Sequence, residues 1–205
     1  MSRVLLASRN AKKLAELQRI LGPHVTVLGL ADVKPYDEEP ETGATFEENA
    51  AAKAVQAARE TGEVSLADDS GLSVDALNGM PGVLSARWSG RHGDDPANTA
   101  LLLAQIADVP DDRRGAAFVC ALALAVPDDG VRLRRGEWRG RIIREPRGSN
   151  GFGYDPVFVP VESDDAGDCR SSAELSSPEK DALSHRGRAL TLMLPELTEV
   201  LTRSR

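Results

Sequence analysis

The stretch Gly115 to Val126 is a long, strand-like apolar run that Asp128-Asp129-Gly130 turns into Val131-Arg132-Leu133. A segment of this kind reads as a β-hairpin and commits the chain to a sheet. The remaining sequence decides what covers that sheet. Short apolar runs at Val4–Ala7, Val25–Leu28, Val64–Ala67 and Pro156–Val159 read as further strands. Helical patterns lie between them. One carries Leu14, Leu17, Ile20 and Leu21 on one face and stops at Gly22-Pro23. Thr45 and Glu48 form a capping box that opens an Ala-rich helix closing at Gly62. Asp95-Pro96 caps a helix bearing Leu101, Leu102, Leu103 and Ile106. Ser177-Pro178-Glu179 starts another helical segment, and a last helix carries Leu190, Met193, Leu194, Leu197, Val200 and Leu201. Helices and strands are intermixed, and neither a repeat nor a clean linker divides the chain. The expected fold is α/β with a mixed sheet, one domain over residues 1–205 arranged as two lobes around a cleft.

Two compositional facts narrow the function. The net charge is −7, from 25 Lys and Arg against 32 Asp and Glu. A general nucleic-acid binder is usually basic over its contact face, so none is expected as a partner. An acidic protein that handles phosphates is instead expected to recruit a divalent cation. The N-terminal run Val4-Leu5-Leu6-Ala7 is too short for a signal peptide's apolar region, and no other stretch is long enough to cross a bilayer. The chain therefore reads as cytoplasmic, without a membrane partner. Cys120 lies in an apolar run and Cys169 in a polar loop, and no Cys/His spacing resembles a zinc site.

Four constellations carry possible chemistry. Ser8, Arg9, Asn10, Ala11, Lys12 and Lys13 stand where a strand feeds a helix, a place whose N–H groups and dipole suit a phosphate. The same residues also suit a plain helix cap followed by solvated lysines. Asp68 and Asp69 follow the strand Val64–Ala67, and ligands of open α/β sheets gather at the carboxyl ends of strands. Two carboxylates there can hold Mg²⁺ and orient water, or can form an acidic turn before Ser70-Gly71. Glu41, in the acidic loop before the Ala-rich helix, joins them if that loop folds over the cleft. Gly151-Phe152-Gly153-Tyr154-Asp155 places two aromatics in a Gly-rich loop, to stack on a base or to anchor the loop to the core. Lys180 and Ser184-His185-Arg186-Gly187 offer donors before the last helix, for a base edge, a phosphate or simple solvation.

The order and spelling of six motifs resemble the inosine triphosphate pyrophosphatase family over essentially the whole chain. They are Ser-Arg-Asn-Ala-Lys-Lys at 8–13, Glu-Thr-Gly-Ala-Thr-Phe-Glu-Glu-Asn-Ala at 41–50 and Ala-Asp-Asp-Ser-Gly-Leu at 67–72. Pro-Gly-Val-Leu-Ser-Ala-Arg at 81–87, Gly-Phe-Gly-Tyr-Asp-Pro at 151–156 and Ser-His-Arg-Gly at 184–187 complete the set. The resemblance implies Mg²⁺-dependent hydrolysis of non-standard purine nucleoside triphosphates (ITP, dITP, XTP) to a monophosphate and pyrophosphate. It implies that residues 8–13 bind substrate, with Ser8, Asn10 and Lys13 on the triphosphate and Lys53 joining them. It makes Glu41 and Asp69 the Mg²⁺ ligands, Asp69 also the general base, and Asp68 its support. Ser70 would contact substrate and Phe152 would stack on the base. Gly153, Tyr154 and Asp155 would shape that pocket, and Lys180, His185 and Arg186 would contact the base region. An elongated mixed sheet, flanking helices, a cleft between lobes and a homodimer are likewise implied. Arg9 departs from the family pattern, where many members carry Gly, and residues 162–172 receive no role.

Two other readings compete. One is a pyrophosphatase for pyrimidine or modified nucleotides on a similar fold. The other is a non-catalytic nucleotide sensor, which gains nothing from paired carboxylates beside a phosphate loop.

Overall fold

The computed structural model describes residues 2–203. Its strands are β1 (Ser2–Leu6), β2 (Val25–Leu28), β3 (Ser65–Val74), β4 (Gly115–Val126), β5 (Gly130–Ile142) and β6 (Phe158–Pro160). Its α-helices are α1 (Ala11–Leu21), α2 (Phe46–Thr61), α3 (Asp95–Gln105), α4 (Val161–Ala166), α5 (Ser177–Leu183) and α6 (His185–Arg203). The strands form one six-stranded sheet in the order β2-β1-β3-β4-β5-β6. β1 runs parallel to β2 and β3, while β5 and β6 are antiparallel. The mixed α/β sheet expected from the sequence is present.

Local chemistry sets the element ends. Thr45 Oγ1 accepts from Glu48 N at 3.1 Å while the Glu48 carboxylate accepts from Thr45 N at 3.3 Å, so α2 opens on the expected capping box. Gly62 closes it in the left-handed region (φ 72°), where a side chain would be strained. The connection after Val126 holds Asp128 at φ 64° and Gly130 at φ 84°, the positive values a tight hairpin requires.

The chain packs as two compact units. The first gathers residues up to 69, 120–136 and from 186; the second gathers 70–119 and 137–185. The unit boundaries fall inside β3, β4 and β5 and after the first residue of α6. In the first unit Leu190, Met193, Leu197, Val200 and Leu201 of α6 join Val4, Leu6, Leu66, Cys120, Leu122 and Leu124 in one core. Their spacing along α6 is the apolar stripe that drives a helix onto a sheet. The second core holds Phe118, Trp138 and Phe158, with Phe118 and Phe158 in an edge-on pair at 4.7 Å. Among the described residues no helix is long and apolar enough to cross a membrane.

Several boundaries differ from the sequence expectation. β3 does not stop at Ala67 but runs through Asp68-Asp69-Ser70-Gly71 to Val74. Asp favours turns by bonding back to its own backbone, and here the Asp68 and Asp69 carboxylates, 3% and 9% exposed, are engaged by other side chains. β5 extends past Leu133 to Ile142, where Gly140–Ile142 pair with β6 and Trp138 and Ile142 are buried in the second core. The α3 cap is Asp94, whose Oδ1 accepts from Ala97 N at 3.2 Å, one residue earlier than expected. His185 and Arg186 begin α6 rather than preceding it.

Candidate active site

The first unit builds a charged centre at the carboxyl end of β1. The pairing Leu6↔Leu66, with Ala7 N donating to Leu66 O at 2.8 Å, means that β3 continues where β1 turns away. Asp68 and Asp69 occupy that continuation. The place favoured for ligands in open sheets is thus supplied by the end of β1, not of β3. Neighbouring strand residues face opposite sides. Asp68 follows Leu66 toward α1 and α6, and Asp69 follows Ala67 toward α2.

The two carboxylates consequently meet different partners. Asp68 accepts from Lys13 Nζ at 2.9 and 3.0 Å and lies 3.3 Å from Arg186 Nη2. Asp69 accepts from Asn49 Nδ2 at 2.9 Å, and its other oxygen lies 3.8 Å from Lys53 Nζ. Lys53 in turn donates to Glu41 Oε1 at 2.8 Å and to the Asp68 carbonyl at 2.7 Å. Burial opposes ionisation of both aspartates, but Lys13, Arg186 and Lys53 outweigh it at Asp68 and hold its carboxyl well below the usual carboxylate range. At Asp69 burial prevails over Lys53 and Asn49, helped by the Glu41 charge, and its carboxyl is pushed up. Burial also opposes the charge on Lys53, yet Asp69, Asp68 and Glu41 together raise its pKa. One carboxylate is therefore neutralised by fixed cations while its neighbour is left more basic. Pairs pushed apart in this way are the pattern of acid–base assignment at reactive sites.

The link from β1 to α1 adds polar groups. Asn10 caps α1, its Oδ1 accepting from Lys13 N at 3.3 Å, and Ser8 Oγ accepts from Asn10 N at 3.2 Å. Arg9 is exposed and pairs with Glu38 of the acidic loop. Ala11 starts α1 and is exposed, and the Lys12 side chain lies outside the described residues.

The second unit holds the other group of expected residues. Ser70, its first residue, continues β3 directly after Asp69. Asp155 is 2% exposed and organises the Gly-rich loop. Its carboxylate accepts from Phe152 N at 2.8 Å and from Ser172 Oγ at 2.8 Å, and it pairs with Lys180. Gly153 N donates to Asp95 Oδ2 at 2.7 Å. Phe152 is 37% exposed, with Lys180 Nζ 5.0 Å from its ring centroid. Tyr154 points inward, joins the core and donates its hydroxyl to Ser85 O at 2.8 Å. The two aromatics of this loop thus have opposite settings, one buried and one presented. His185 stacks on Phe118 at 5.1 Å.

Tyr154 yields a pH prediction. Burial, with the Asp95 charge second, raises its phenol above the ordinary value of about 10. A raised folded-state pKa gives stability that is complete below the unfolded pKa and is lost as pH rises through the folded one. Tyr154→Phe is expected to cost about 0.5–1.5 kcal/mol at pH 7 and to lose less stability than the parent above pH 10. Urea unfolding from pH 7 to 11 measures both. Parallel pH slopes for the two proteins would remove the phenol from that dependence.

Motif and pattern assign no site role to Asn49, Asp95, Ser85 or Ser172. Asn49 carried a usable signal: it lies four residues before Lys53 in an Ala-rich helix, on the same face. The others are brought in only by the fold.

Comparison with known proteins decides the kinship. The Ham1 family matches residues 4–196. The chain belongs to the Ham1 family. This is the family that the six motifs pointed to. A Ham1 relative from Mycolicibacterium paratuberculosis, named dITP/XTP pyrophosphatase, is 65% identical across 100% of both chains. A solved nucleoside-triphosphatase/dITP/XTP pyrophosphatase from Mycobacterium abscessus is 61% identical, with TM-score 0.77 over 94% of this chain and 99% of that one. A HAM1 protein from Coxiella burnetii is 42% identical, with TM-score 0.85 over 97% and 100%. The Ham1 fold therefore extends over nearly the whole chain.

Proposed function

We propose that this enzyme hydrolyses the non-standard purine nucleoside triphosphates dITP, XTP and ITP to the monophosphate and pyrophosphate, and so clears them from the nucleotide pool. The reaction is that of a hydrolase acting on phosphoric anhydrides. The observation that carries the reading is the setting of the two carboxylates on β3, Asp68 against Lys13 and Arg186 and Asp69 against Asn49 and Lys53, in a chain 65% identical to a dITP/XTP pyrophosphatase. A pure sensor for an anionic ligand gains nothing from a buried carboxylate whose basicity is raised.

In this reading Ser8, Asn10 and Lys13 hold the triphosphate, with Arg9, Ala11 and Lys12 completing that loop and Lys53 adding charge. Asp68 fixes Lys13, and Asp69 takes the proton from the attacking water. Arg186 lies against Asp68, and we assign it to holding that carboxylate rather than to the base. Among the described residues no group of three or more His, Cys, Asp or Glu is placed to hold a metal. Mg²⁺ asks for less, since it is commonly bound by one or two carboxylates with water and substrate phosphates. Glu41 and Asp69 are the carboxylates proposed to hold it, a reading supported by the approach of both to Lys53 Nζ. The ion would neutralise phosphate charge and acidify water when bound.

Phe152 would stack on the base and Ser70 would contact substrate, with Gly153, Tyr154 and Asp155 shaping the pocket. Lys180 and His185 are the donors proposed for the base edge. Hypoxanthine and xanthine carry an acceptor where adenine carries the N6 donor, so a donor-lined pocket leaves adenine's group unpaired. Such mismatches reach roughly 10⁴–10⁵ in kcat/KM. We further propose that the enzyme works in the cytoplasm as a homodimer.

The test is a first-turnover assay with dITP, XTP, ITP, GTP and ATP in the presence of Mg²⁺. Pyrophosphate is the expected first product, with GTP and ATP the poor substrates. Orthophosphate as the sole initial product would replace this reading with a phosphohydrolase. Phe152→Ala is expected to weaken XTP binding by about 1–3 kcal/mol, the scale of one aromatic–base stack. Its melting temperature is expected to stay near that of the parent, since the ring is partly exposed. Lost stability with unchanged affinity would make Phe152 a loop anchor instead.

A further inference from the structure

The Asn49 side chain joins two segments that the proposed chemistry needs together. Asn49 is 2% exposed on α2, in the first unit. Its Oδ1 accepts from Gly43 N at 2.8 Å, and its Nδ2 donates to Asp69 Oδ2 at 2.9 Å. The first bond fixes the amide orientation: with oxygen committed to Gly43 N–H, nitrogen must face Asp69. The second bond holds one carboxylate oxygen of Asp69 and leaves the other toward Lys53, at 3.8 Å and beyond hydrogen-bond length. Gly43 stands two residues after Glu41. A Cβ at Gly43 would lie 2.6 Å from Asn49 Oδ1 and 2.8 Å from Glu48 Cβ, so the loop reaches Asn49 only because this residue is glycine.

We propose that Asn49 is a positioning residue that fixes the Asp69 carboxylate in one orientation and ties it to the loop bearing Glu41. The proposal rests on the reading of Asp69 as the base. An amide is suited to this task because it presents an acceptor and a donor on opposite sides at a fixed distance. A carboxylate at the same position would keep the Gly43 bond and set two anions against each other. An apolar residue would leave both partners without their bonds.

The test compares Asn49→Asp, Asn49→Leu, Gly43→Ala and Asp69→Asn, with XTP as substrate. Asn49→Asp and Asn49→Leu are expected to lower kcat by about 10–100-fold, the usual cost of removing a partner that orients a reacting group, with KM within about twofold of the parent. Gly43→Ala, which changes no side chain around Asp69 chemically but presses its new Cβ against Asn49 Oδ1, is expected to lower kcat in the same direction. Asn49→Leu added to Asp69→Asn is expected to lower kcat no further, because the group being oriented is already gone. Four results overturn the proposal: parental kcat in Asn49→Asp, a change confined to KM, parental kcat in Gly43→Ala, or full additivity in the double variant. Failure of the underlying reading is seen separately, as near-parental kcat in Asp69→Asn itself.

Discussion

Asp69→Asn is expected to lower kcat by at least about 10²–10⁴-fold, the contribution of general-base catalysis alone. Asn keeps the shape of the side chain and removes both the basicity and the charge. Loss of a metal ligand would add to the effect. Stability is expected to move the other way or not at all. Burial pushes the Asp69 carboxyl up, so the ionised group is disfavoured in the folded protein relative to water. A neutral amide relieves that strain. Steady-state kinetics with XTP, paired with a melting curve of the substrate-free protein, give both quantities. A variant within tenfold of parental kcat would make Asp69 an ordinary strand residue and would remove the basis of the proposed mechanism.

Asp68→Asn is expected to show the reverse balance, with stability falling first. Asp68 is fully enclosed and faces Lys13 and Arg186, the latter 6% exposed. Removing one member of a buried ion cluster leaves the remaining charges uncompensated, at a cost of about 3–5 kcal/mol. For a chain of this size each kcal/mol corresponds to about 2–4 °C in melting temperature, so a fall of roughly 6–20 °C is expected. Activity should fall as well, because Lys13 loses the anchor that aims it. The decisive comparison is between the two neighbouring variants by calorimetry: Asp68→Asn well below the parent, Asp69→Asn at or above it. Equal melting temperatures for both would mean that the cations do not discriminate between the carboxylates, and the assignment of separate roles would fall with them.

Elements with local signals are legible in the order of residues alone. The Thr45–Glu48 box and Gly62 bounded α2, and the α6 stripe from Leu190 to Leu201 announced a helix laid on a sheet. The run Gly115–Val126 gave a strand with the observed limits. Motif order identified the family and named most of the charged residues now found together. What the sequence could not give is the environment of each charge. Pattern alone ends the strand at Ala67 and leaves Asp68 and Asp69 open between metal-holding carboxylates and an acidic turn, whereas tertiary packing supplies Lys13, Arg186, Lys53 and Asn49 and keeps the strand going to Val74. Adjacent in sequence and alike in type, the two aspartates differ only because a strand turns successive side chains to opposite faces and different helices cover those faces. The separation of Phe152 from Tyr154 has the same origin: a core and the Ser85 carbonyl claim the tyrosine, and the phenylalanine is left presented. Propensity and pattern act within a few residues of the chain, but the free energy of a charge or a ring depends on what is brought against it from far along the sequence.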